Sequence, residues 1–531
     1  MRVLHINTWD FYGGAAQGMF ILHKELLCQG VDSLVLVQHQ TINDESIVRF
    51  CGDAEALWRQ GIDTLPIQFY PQKEIGLISP SVLDAPALLQ KIEEINPDIV
   101  HMHWVFGGLL SVEDMGRIRR PIVWTIRDFA PFTGGCHHPL ACDKYKNICG
   151  QCPILRSTEI FDITYQNLER KRKIYANEQI SVVGISEWIS RKAKESAAFR
   201  GLDIETIHNN IDIQIYYPLD KSKAKSSLGL ATNKKIISIG AHSLMDEHKG
   251  LHYFFEALSM LHKESYLVLF FGQIDEVMLK SVPQEFVSFG YLHDKNILRN
   301  IYAVSDVFVA PSLLEPFGKT IGESMACGTP VVCFEECGGG AELIEHKEDG
   351  YLAKKFEPND LVEGILWILK NGSRKDLSRR CAEKILSHFS PKESARKYID
   401  LYEKKKHQTF QKNTTIGESG NSLVSNFCKS KEMQKMFEKI EGLGSGVFMV
   451  YGYGFMAQVL EEIFPEKIKA FVDLDSKKID NIKVFHPSHL KSLHFDKIII
   501  SVMRYEEQIR ECLMDELGVQ KNKIVSLLND V

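Results

Sequence analysis

The chain has 531 residues, of which 44% are hydrophobic and 25% charged, and its formal net charge is −6. This composition argues against a disordered chain, a coiled coil or an integral membrane protein, and no apolar run is long enough to cross a bilayer. The length predicts two to four domains, and the negative charge argues against bulk nucleic-acid binding.

The first 212 residues alternate short apolar runs with amphipathic stretches. The runs RVLHIN, SLVLVQ, DIVHMHW, PIVWTIRD and ISVVGIS are the predicted strands. Alternating β and α elements of this kind predict a parallel sheet flanked by helices, which is an α/β fold. The opening residues MRVLHINTWDFYGG are interpreted as a first strand and turn, because their apolar run is too short for a signal peptide. We therefore expect a cytoplasmic protein.

A glycine pair follows the first strand and precedes the helix QGMFILHKELLCQG. Gly13 and Gly14 lack side chains, so the backbone there can approach a ligand closely, and the following helix adds its dipole. Many strand–helix corners carry such a pair, so this feature alone is a weak indication of a ligand site.

Four of the twelve cysteines fall within a short segment after PFTGG: Cys136, Cys142, Cys149 and Cys152. The spacing Cys149-x-x-Cys152 makes a tight turn that directs both sulfurs one way, and four thiolates complete a tetrahedral zinc site. His137 or His138 could replace one thiolate. An iron–sulfur cluster uses the same ligands, and reduced cysteines without a metal are the third alternative. We expect a structural zinc that holds the loop in place.

A second α/β series begins near KKIISIG and continues through YLVLFFG, FVSFGYL, VFVAPS and TPVVCF. Residues 311–333 of this series read PSLLEPFGKTIGESMACGTPVVC, with Glu315 and Glu323 on either side of Gly318. The pattern predicts a strand, a loop with Glu315, and a helix whose glycine-led N-terminus can bind phosphate. Two carboxylates beside such an anion site indicate a ligand with both hydroxyls and phosphates, such as a sugar nucleotide.

This segment resembles the E-x₇-E motif of the retaining glycosyltransferases of family 4, which have the GT-B fold. The resemblance implies two facing Rossmann-like domains and transfer of a sugar from a nucleotide diphosphate donor. It also implies retention at the anomeric carbon and no cofactor or metal in the transfer chemistry. The cysteine pattern resembles a subgroup of this family, in which it forms an insertion beside the acceptor side of the cleft.

The resemblance also assigns roles to individual residues. Glu315 is expected to contact the donor sugar and Glu323 the ribose, while Lys249, in a Lys-Gly step with Gly250, contacts the diphosphate. Gly14 is expected to donate its backbone N–H to the diphosphate or the acceptor. The donor-binding residues predicted in the motif itself are Phe317, Gly318, Lys319, Thr320 and Glu323.

Two positions depart from the family pattern. Relatives usually have His-Asp where this chain has Arg127-Asp128, and an arginine where it has Ala241-His242. Arginine stays protonated, so Arg127 cannot act as a general acid–base. We predict it as a catalytic-site residue, with Glu315, that holds the diphosphate or an anionic sugar. A salt bridge to Asp128 or to another acid at the strand end is the alternative.

The predicted domains are residues 1–212 on the acceptor side and 213–406 on the donor side, with a hinge at Ile207–Asp212 that resembles the family's interdomain segment. Residues 388–406 are interpreted as the last helix, which in that family crosses back onto the first domain. Residues 407–430 are polar and rich in Ser, Thr, Asn and Gly, and are interpreted as a linker.

Residues 431–531 are predicted to be a third, small Rossmann-like unit. Gly452, Gly454 and Ala457 follow the apolar run VFMVY, and Asp473 ends IKAFVDLD, which matches dinucleotide-fold spacing. Whether the unit binds NAD, another nucleotide or no ligand stays open.

The expected partners are a nucleotide-sugar donor and a glycan or lipid-linked acceptor of surface polysaccharide or glycoconjugate synthesis. Basic stretches lie at 117–120, 169–173 and 403–407. They are interpreted either as solvated helix faces or as a surface that contacts the inner face of an anionic membrane. Two alternatives remain. One is an epimerase or phosphorylase of the same fold, and the other is a catalytically silent scaffold whose terminal unit binds a ligand.

Overall fold

The computed structural model describes residues 1–70, 78–176, 180–371 and 375–406, together with short segments between residues 448 and 526. Within these residues there are three sheets, of seven, six and five strands. All strand pairings within them are parallel. The predicted α/β fold is confirmed.

The first sheet has the strand order β3-β2-β1-β4-β5-β6-β7. The central strands β4, β5 and β6 are buried along their whole length. Continuous Val and Ile runs are what a strand covered on both faces requires. The seven strands are β1 (Arg2–Trp9), β2 (Asp32–His39), β3 (Ile47–Arg49), β4 (Ile99–Met102), β5 (Ile122–Ile126), β6 (Ile180–Gly184) and β7 (Asp203–Thr206).

Six helices connect these strands. Polar residues begin three of them. Ser111 accepts a hydrogen bond from the Asp114 N–H, Ser186 from the Ile189 N–H, and Asp162 from the N–H groups of Thr164 and Tyr165. The helices are α1 (Gly13–Cys28), α2 (Asp53–Thr64), α3 (Pro86–Ile95), α4 (Val112–Arg117), α5 (Ile163–Tyr175) and α6 (Glu187–Lys194).

The second sheet has the order β10-β9-β8-β11-β12-β13, so it repeats the strand order of the first. Its strands are β8 (Lys235–Ser243), β9 (Tyr266–Gln273), β10 (Glu285–Ser288), β11 (Val307–Ala310), β12 (Val331–Phe334) and β13 (Gly350–Ala353). Its helices are α7 (Lys221–Ser227), α8 (Leu251–Met260), α9 (Glu276–Leu279), α10 (Lys295–Val304), α11 (Lys319–Ala326), α12 (Pro358–Asn371) and α13 (Lys375–His388).

The helix α14 (Pro391–Lys406) returns from the second lobe to the first. Its apolar side chains, including Tyr398 and Tyr402, are buried in one cluster with residues of the first sheet such as Val3 and Val123. The crossing that the resemblance implied for residues 388–406 is therefore present, and it ties the two lobes together.

The third sheet has the order β16-β15-β14-β17-β18, which is again the order of a dinucleotide-binding fold. Strands lie within the apolar runs VFMVY and IKAFVDLD, where the dinucleotide-fold spacing requires them. Gly452, Gly454, Ala457, Asp473 and the linker 407–430 lie outside the described residues. The five strands are β14 (Phe448–Tyr451), β15 (Ile468–Val472), β16 (Val484–Phe485), β17 (Lys497–Ile500) and β18 (Ile524–Ser526).

Among the helices of the described ranges, none is both long enough and apolar enough to span a bilayer.

Candidate active site

The loop that follows β11 places Glu315 against Lys249. The Lys249 ammonium donates to Glu315 Oε1 at 2.6 Å, and the Ser312 hydroxyl donates to the same oxygen at 2.9 Å. The Glu315 backbone N–H is held by the Cys337 carbonyl at 2.6 Å. Burial opposes ionisation of Glu315, but Lys249 outweighs it and holds the pKa of this carboxyl below its usual value. The structure thus brings together two residues that the sequence separates by 66 positions.

A glycine fixes the turn that carries Lys249. Gly250 has φ +66°, and a Cβ atom there would lie 2.0 Å from the Pro311 carbonyl oxygen. Only glycine therefore lets the Lys249 turn pack directly on the loop after β11. The resulting small pocket is lined by β8, the Lys249 turn, the loop after β11 and the start of α11, among them Gly240, Ala241, Lys249, Ser312, Glu315 and Thr320.

The helix α11 begins beside this pocket. Gly318 precedes it with φ +81°, and a Cβ atom there would lie 2.9 Å from the Gly340 Cα atom. The first N–H groups of any helix lack partners within the helix, so those after Gly318, including Thr320, are free to bind an anion. The structure thus contains the glycine-led helix start that the sequence predicts. The Phe317 side chain is buried against Phe389, with ring centroids 6.1 Å apart, so only its backbone can contact a donor.

Glu323 lies on the buried side of α11. Its exposure is 6%, and its Oε2 atom accepts from the Tyr302 hydroxyl at 3.2 Å. Burial raises the pKa of Glu323, and Lys319, one helical turn earlier, opposes that rise. Burial also lowers the pKa of Lys319 to about 8. The Lys319 ammonium donates to Gln17 Oε1 on α1 at 2.9 Å, so it joins the two lobes across the cleft.

The start of α1 faces the same cleft. A Cβ atom at Gly13 or Gly14 would meet nothing within 4 Å, so the backbone there is open to a ligand. One turn later, a Cβ atom at Gly18 would lie 2.6 Å from Arg127 Nη1 and 2.8 Å from Asn209 Oδ1. The absence of a side chain at Gly18 is therefore what makes room for Arg127.

Arg127 does not pair with Asp128. Its Nη1 atom donates to Asn209 Oδ1 at 3.1 Å and its Nη2 atom lies 3.2 Å from His103 Nδ1. Asp128 instead contacts His137 Nδ1 at 2.8 Å and accepts from the Trp104 indole N–H at 3.0 Å. The salt-bridge alternative is wrong. Within the described ranges Arg127 has no carboxylate partner, and burial lowers its pKa to about 10.

Three buried imidazoles lie behind Arg127, and their ring nitrogens are within 4.8 Å of one another. His5 Nδ1 lies 2.9 Å from His103 Nε2, and His101 lies 2.7 Å from the Thr125 hydroxyl and 2.6 Å from the Tyr402 hydroxyl. Burial lowers the pKa of each, so they are neutral. Because these contacts and Arg127 occupy every ring nitrogen except His5 Nε2, the cluster orients the guanidinium and offers no set of free metal ligands.

Further contacts fix the lobes around the cleft. Glu342, which follows β12, accepts from the backbone N–H groups of Glu187 and Trp188 at 2.8 and 2.5 Å, where α6 of the first lobe begins. The Ser186 hydroxyl donates to the Pro316 carbonyl at 2.6 Å, directly beside Glu315. The Glu315 loop is thus built by both lobes.

The four cysteines between residues 136 and 152 lie near one another in the structure. No three of their sulfurs fall within 4.8 Å among the described residues, whereas tetrahedral zinc holds sulfurs ~3.8 Å apart. In this arrangement the sulfurs lie farther apart than in a closed four-thiolate site, and zinc stays a prediction. His137 cannot replace a thiolate, since Asp128 and Ser79 occupy both of its ring nitrogens. The cysteines are Cys136, Cys142, Cys149 and Cys152.

Residues 220–386, which carry Lys249, Glu315, Lys319 and Glu323, match the family model described as "Glycosyl transferases group 1". These residues form a group 1 glycosyltransferase domain. Residues 447–525, which contain the third sheet, match the model "C2185-like, N-terminal".

The match to one curated relative covers more of this chain than residues 220–386. Spore coat protein SA of Bacillus subtilis is 24% identical over 298 residues, which is 51% of this chain and 77% of that protein. The N,N'-diacetylbacillosaminyl-diphospho-undecaprenol alpha-1,3-N-acetylgalactosaminyltransferase of Campylobacter jejuni is 29% identical over 202 residues, 36% of this chain and 52% of that enzyme. The match thus spans only about half of the transferase.

Solved structures show the fold of both lobes together. Sucrose-phosphate synthase from Thermosynechococcus elongatus has a TM-score of 0.56 at 16% identity, over 76% of this chain and 98% of that one. Anabaena Alr3699/HepE, solved in complex with UDP and glucose, has a TM-score of 0.54 at 18% identity, over 76% and 100%. The glycosyltransferase domain and the first lobe therefore adopt the GT-B fold.

Sequence reasoning missed several residues of the cleft. Tyr302 and Gln17 were not singled out, since each acts through a contact with a remote segment. Asn209 was predicted only as a structural residue of the hinge that borders the cleft. Gly18 had one available signal, because an isolated glycine inside a helical pattern often marks a close approach.

Proposed function

We propose that this protein is a retaining glycosyltransferase that moves a sugar from a nucleotide diphosphate donor to a glycan or lipid-linked acceptor. The observation that carries the proposal is the convergence of Lys249, Glu315 and the α11 N-terminus at one edge of the cleft. A cation and free amides suit a diphosphate, while a carboxylate suits sugar hydroxyls. The match of this lobe to a glycosyltransferase family model supports the same reading.

In the proposed reaction, the acceptor hydroxyl attacks the anomeric carbon from the face that the diphosphate leaves. The bond from that carbon to the β-phosphate oxygen breaks, a bond to the acceptor oxygen forms, and the acceptor proton passes to the leaving phosphate. Arg127 fits this scheme because it stays charged and needs no acid–base role. Lys249, Lys319 and the Gly318–Thr320 backbone stabilise the departing diphosphate, Gly14 adds a backbone N–H from the other lobe, and Glu323 binds the ribose.

The acceptor and the pathway are proposed from the relatives. The Campylobacter jejuni relative is named for transfer to a diphospho-undecaprenol-linked sugar. We extend this to a glycan or lipid-linked acceptor here, in surface polysaccharide or glycoconjugate synthesis on the cytoplasmic side of the membrane.

Peripheral membrane contact is part of the proposal, but the basic stretches are weak candidates for it. Arg117, Arg170 and Lys405 each pair with an acid of the protein itself. The segment around the cysteines offers a better surface, because Leu140 and Phe161 are 65% and 64% exposed and Ile148 and Ile160 are also exposed. Large exposed apolar side chains of this kind suit an acyl or polyprenyl region.

The direct test is release of nucleoside diphosphate from a panel of UDP-, GDP- and ADP-sugars. We expect slow hydrolysis of one donor by the wild-type protein, reduced at least tenfold in Glu315→Gln. The matched control is Glu264→Gln, an exposed carboxylate at the opposite, amino end of β9. Product analysis distinguishes the alternatives, since an epimerase returns an isomeric nucleotide sugar and a phosphorylase requires phosphate. No turnover of any donor, with nucleotide bound only by residues 447–525, would support a scaffold.

A further inference from the structure

His137 anchors the backbone of the predicted cysteine-bearing insertion, residues 136–153. The two ring nitrogens of His137 lie 2.8 Å from Asp128 Oδ2 and 2.8 Å from the Ser79 hydroxyl. Its carbonyl accepts from the Phe129 N–H at 3.2 Å, and its ring stacks on Trp104 with centroids 5.6 Å apart. These contacts fix the position of the next residue, His138, without using it.

His138 reaches the opposite lobe. Its ring stacks on that of His248, with centroids 4.9 Å apart and an interplanar angle of 25°. His248 immediately precedes Lys249, and its carbonyl accepts from the Leu313 N–H at 2.7 Å, two residues before Glu315. The insertion therefore meets the donor lobe at the segment that carries the Lys249–Glu315 pair.

The His138 side chain has an unsatisfied polar atom at this point. Its Nδ1 atom is buried and has no hydrogen-bond partner among the described residues. A buried polar atom without a partner is unfavourable, and a ligand that supplies one relieves that cost. Burial lowers the pKa of His138, and Asp128, Lys249 and Glu315 are all near enough to influence it. The neutral imidazole can then donate or accept at Nδ1.

We propose that His138 contacts the transferred sugar of the donor through Nδ1, so that the insertion forms one wall of the sugar subsite. The proposal rests on the proposed function. It follows from position: Lys249 is assigned to the diphosphate and Glu315 to the sugar, and His138 meets this pair from the opposite lobe. The contact is with a sugar hydroxyl or ring substituent and not with the nucleoside, because the ribose is assigned to Glu323 on the buried side of α11. His138 is thereby a determinant of donor specificity.

The experiment compares donor binding with binding of the nucleoside diphosphate alone. UDP and UDP-glucose, ADP and ADP-glucose, and GDP and GDP-mannose are titrated as pairs into the full chain and its variants. In His138→Ala we expect the affinity for the sugar-bearing member of the bound pair to fall about tenfold. The affinity for the nucleoside diphosphate should stay within about twofold. The ratio of kcat/KM for UDP-glucose over UDP-galactose, or for the corresponding epimers of the pair that binds, should move towards one.

Conservative variants separate a contact from a structural role. The amide of His138→Asn lies where Nδ1 lies and should restore most of the lost affinity, whereas His138→Gln, which places its amide near Nε2, should not. His262→Ala, an exposed histidine before β9, is the control and should change nothing.

Equal loss of affinity for both members of a pair, or no change in either, would overturn the sugar contact. Equal affinities of the Asn and Gln variants would overturn the assignment to Nδ1. Failure of the wild-type protein to bind any pair would contradict the proposed function itself, and this inference with it.

Discussion

The Lys249 ammonium lies 2.6 Å from Glu315 Oε1, and the two side chains are only 19% and 14% exposed. An ion pair in this position has two different tasks once a donor binds, because its cation is assigned to phosphate and its carboxylate to sugar. The pair therefore predicts that its two members have separable effects on nucleotide and sugar binding.

Replacing Lys249 with Met should weaken binding of the nucleoside diphosphate roughly tenfold to a hundredfold, because a charge-assisted hydrogen bond contributes about 1.5–3 kcal/mol. Replacing Glu315 with Gln should leave that affinity within about threefold but lower kcat more than tenfold. Calorimetric titration with the nucleoside diphosphate and steady-state kinetics measure the two effects. Equal loss of nucleotide affinity in both variants would refute the division of roles.

Nucleotide binding should depend on pH through Lys319, whose pKa burial lowers to about 8. Below pH 8 the ammonium is charged and attracts the diphosphate, and above pH 8 it is neutral, so we expect the Kd to rise about fivefold between pH 7 and 9. Ionisation of the phosphates of the ligand also changes the Kd over this range. The same titrations with Lys319→Met measure that effect alone, so it can be subtracted. A wild-type profile parallel to that of this variant would contradict the role of Lys319.

The lowered pKa of Lys319 also affects the stability of the protein, and this effect changes with pH in the opposite direction to nucleotide affinity. Between pH 8 and about 10.4 the folded state binds fewer protons at Lys319 than the unfolded state does. The contribution of Lys319 to the free energy of unfolding therefore rises with pH in this window, while ligand affinity falls.

Gly250→Ala should destabilise the second lobe and displace Lys249. Its φ of +66° costs a side chain about 1–2 kcal/mol, and the Cβ atom would lie 2.0 Å from the Pro311 carbonyl. Gly229→Ala is a matched control, since Gly229 also has φ +66° but meets nothing within 4 Å. Chemical denaturation should show a larger loss for Gly250→Ala, accompanied by loss of turnover. Equal losses in the two variants would show that the close approach to Pro311 is unimportant.

Arg127→Met should lower kcat/KM at least tenfold and raise the melting temperature. A cation that is partly buried without a carboxylate partner is costly to the fold, and such a cost is typical of a residue kept for a ligand. The outcome that counts against this is a lower melting temperature with unchanged kinetics, since it would make Arg127 a structural residue held by Asn209 and His103.

Membrane contact should depend on the apolar side chains beside the insertion. Co-sedimentation with vesicles containing anionic lipid should fall severalfold in Ile160→Ser/Phe161→Ser, because each exposed side chain of this size contributes about 1.5–3 kcal/mol when buried. Reversal of the charges at 403–407 should have a smaller effect. Binding lost only on charge reversal would favour the basic stretches instead.

The strands could be predicted because a parallel sheet covered on both faces needs continuous apolar runs. Such runs coincide with β1, β5, β8 and β11. The Glu315 loop and the glycine before α11 could also be predicted, since both depend on local spacing. The Glu315–Lys249 ion pair depends on a remote contact and was not predicted, although the family resemblance assigned both residues to the donor site.

Other features of the site could not be predicted from the sequence because they depend on side-chain orientation. Phe317 was predicted at the donor but its ring packs on Phe389, and Arg127 binds Asn209 where the sequence allowed a salt bridge. The contact of His138 with His248 joins two lobes, so no local pattern could show it.

The most direct test is a crystal structure of the full chain with bound UDP, or with whichever nucleoside diphosphate binds most tightly. We expect the diphosphate between the Gly318–Thr320 backbone and the Lys249 ammonium, with the ribose hydroxyls towards Glu323. Nucleotide found only against residues 447–525, or an α11 N-terminus left empty at saturating nucleotide, would contradict it.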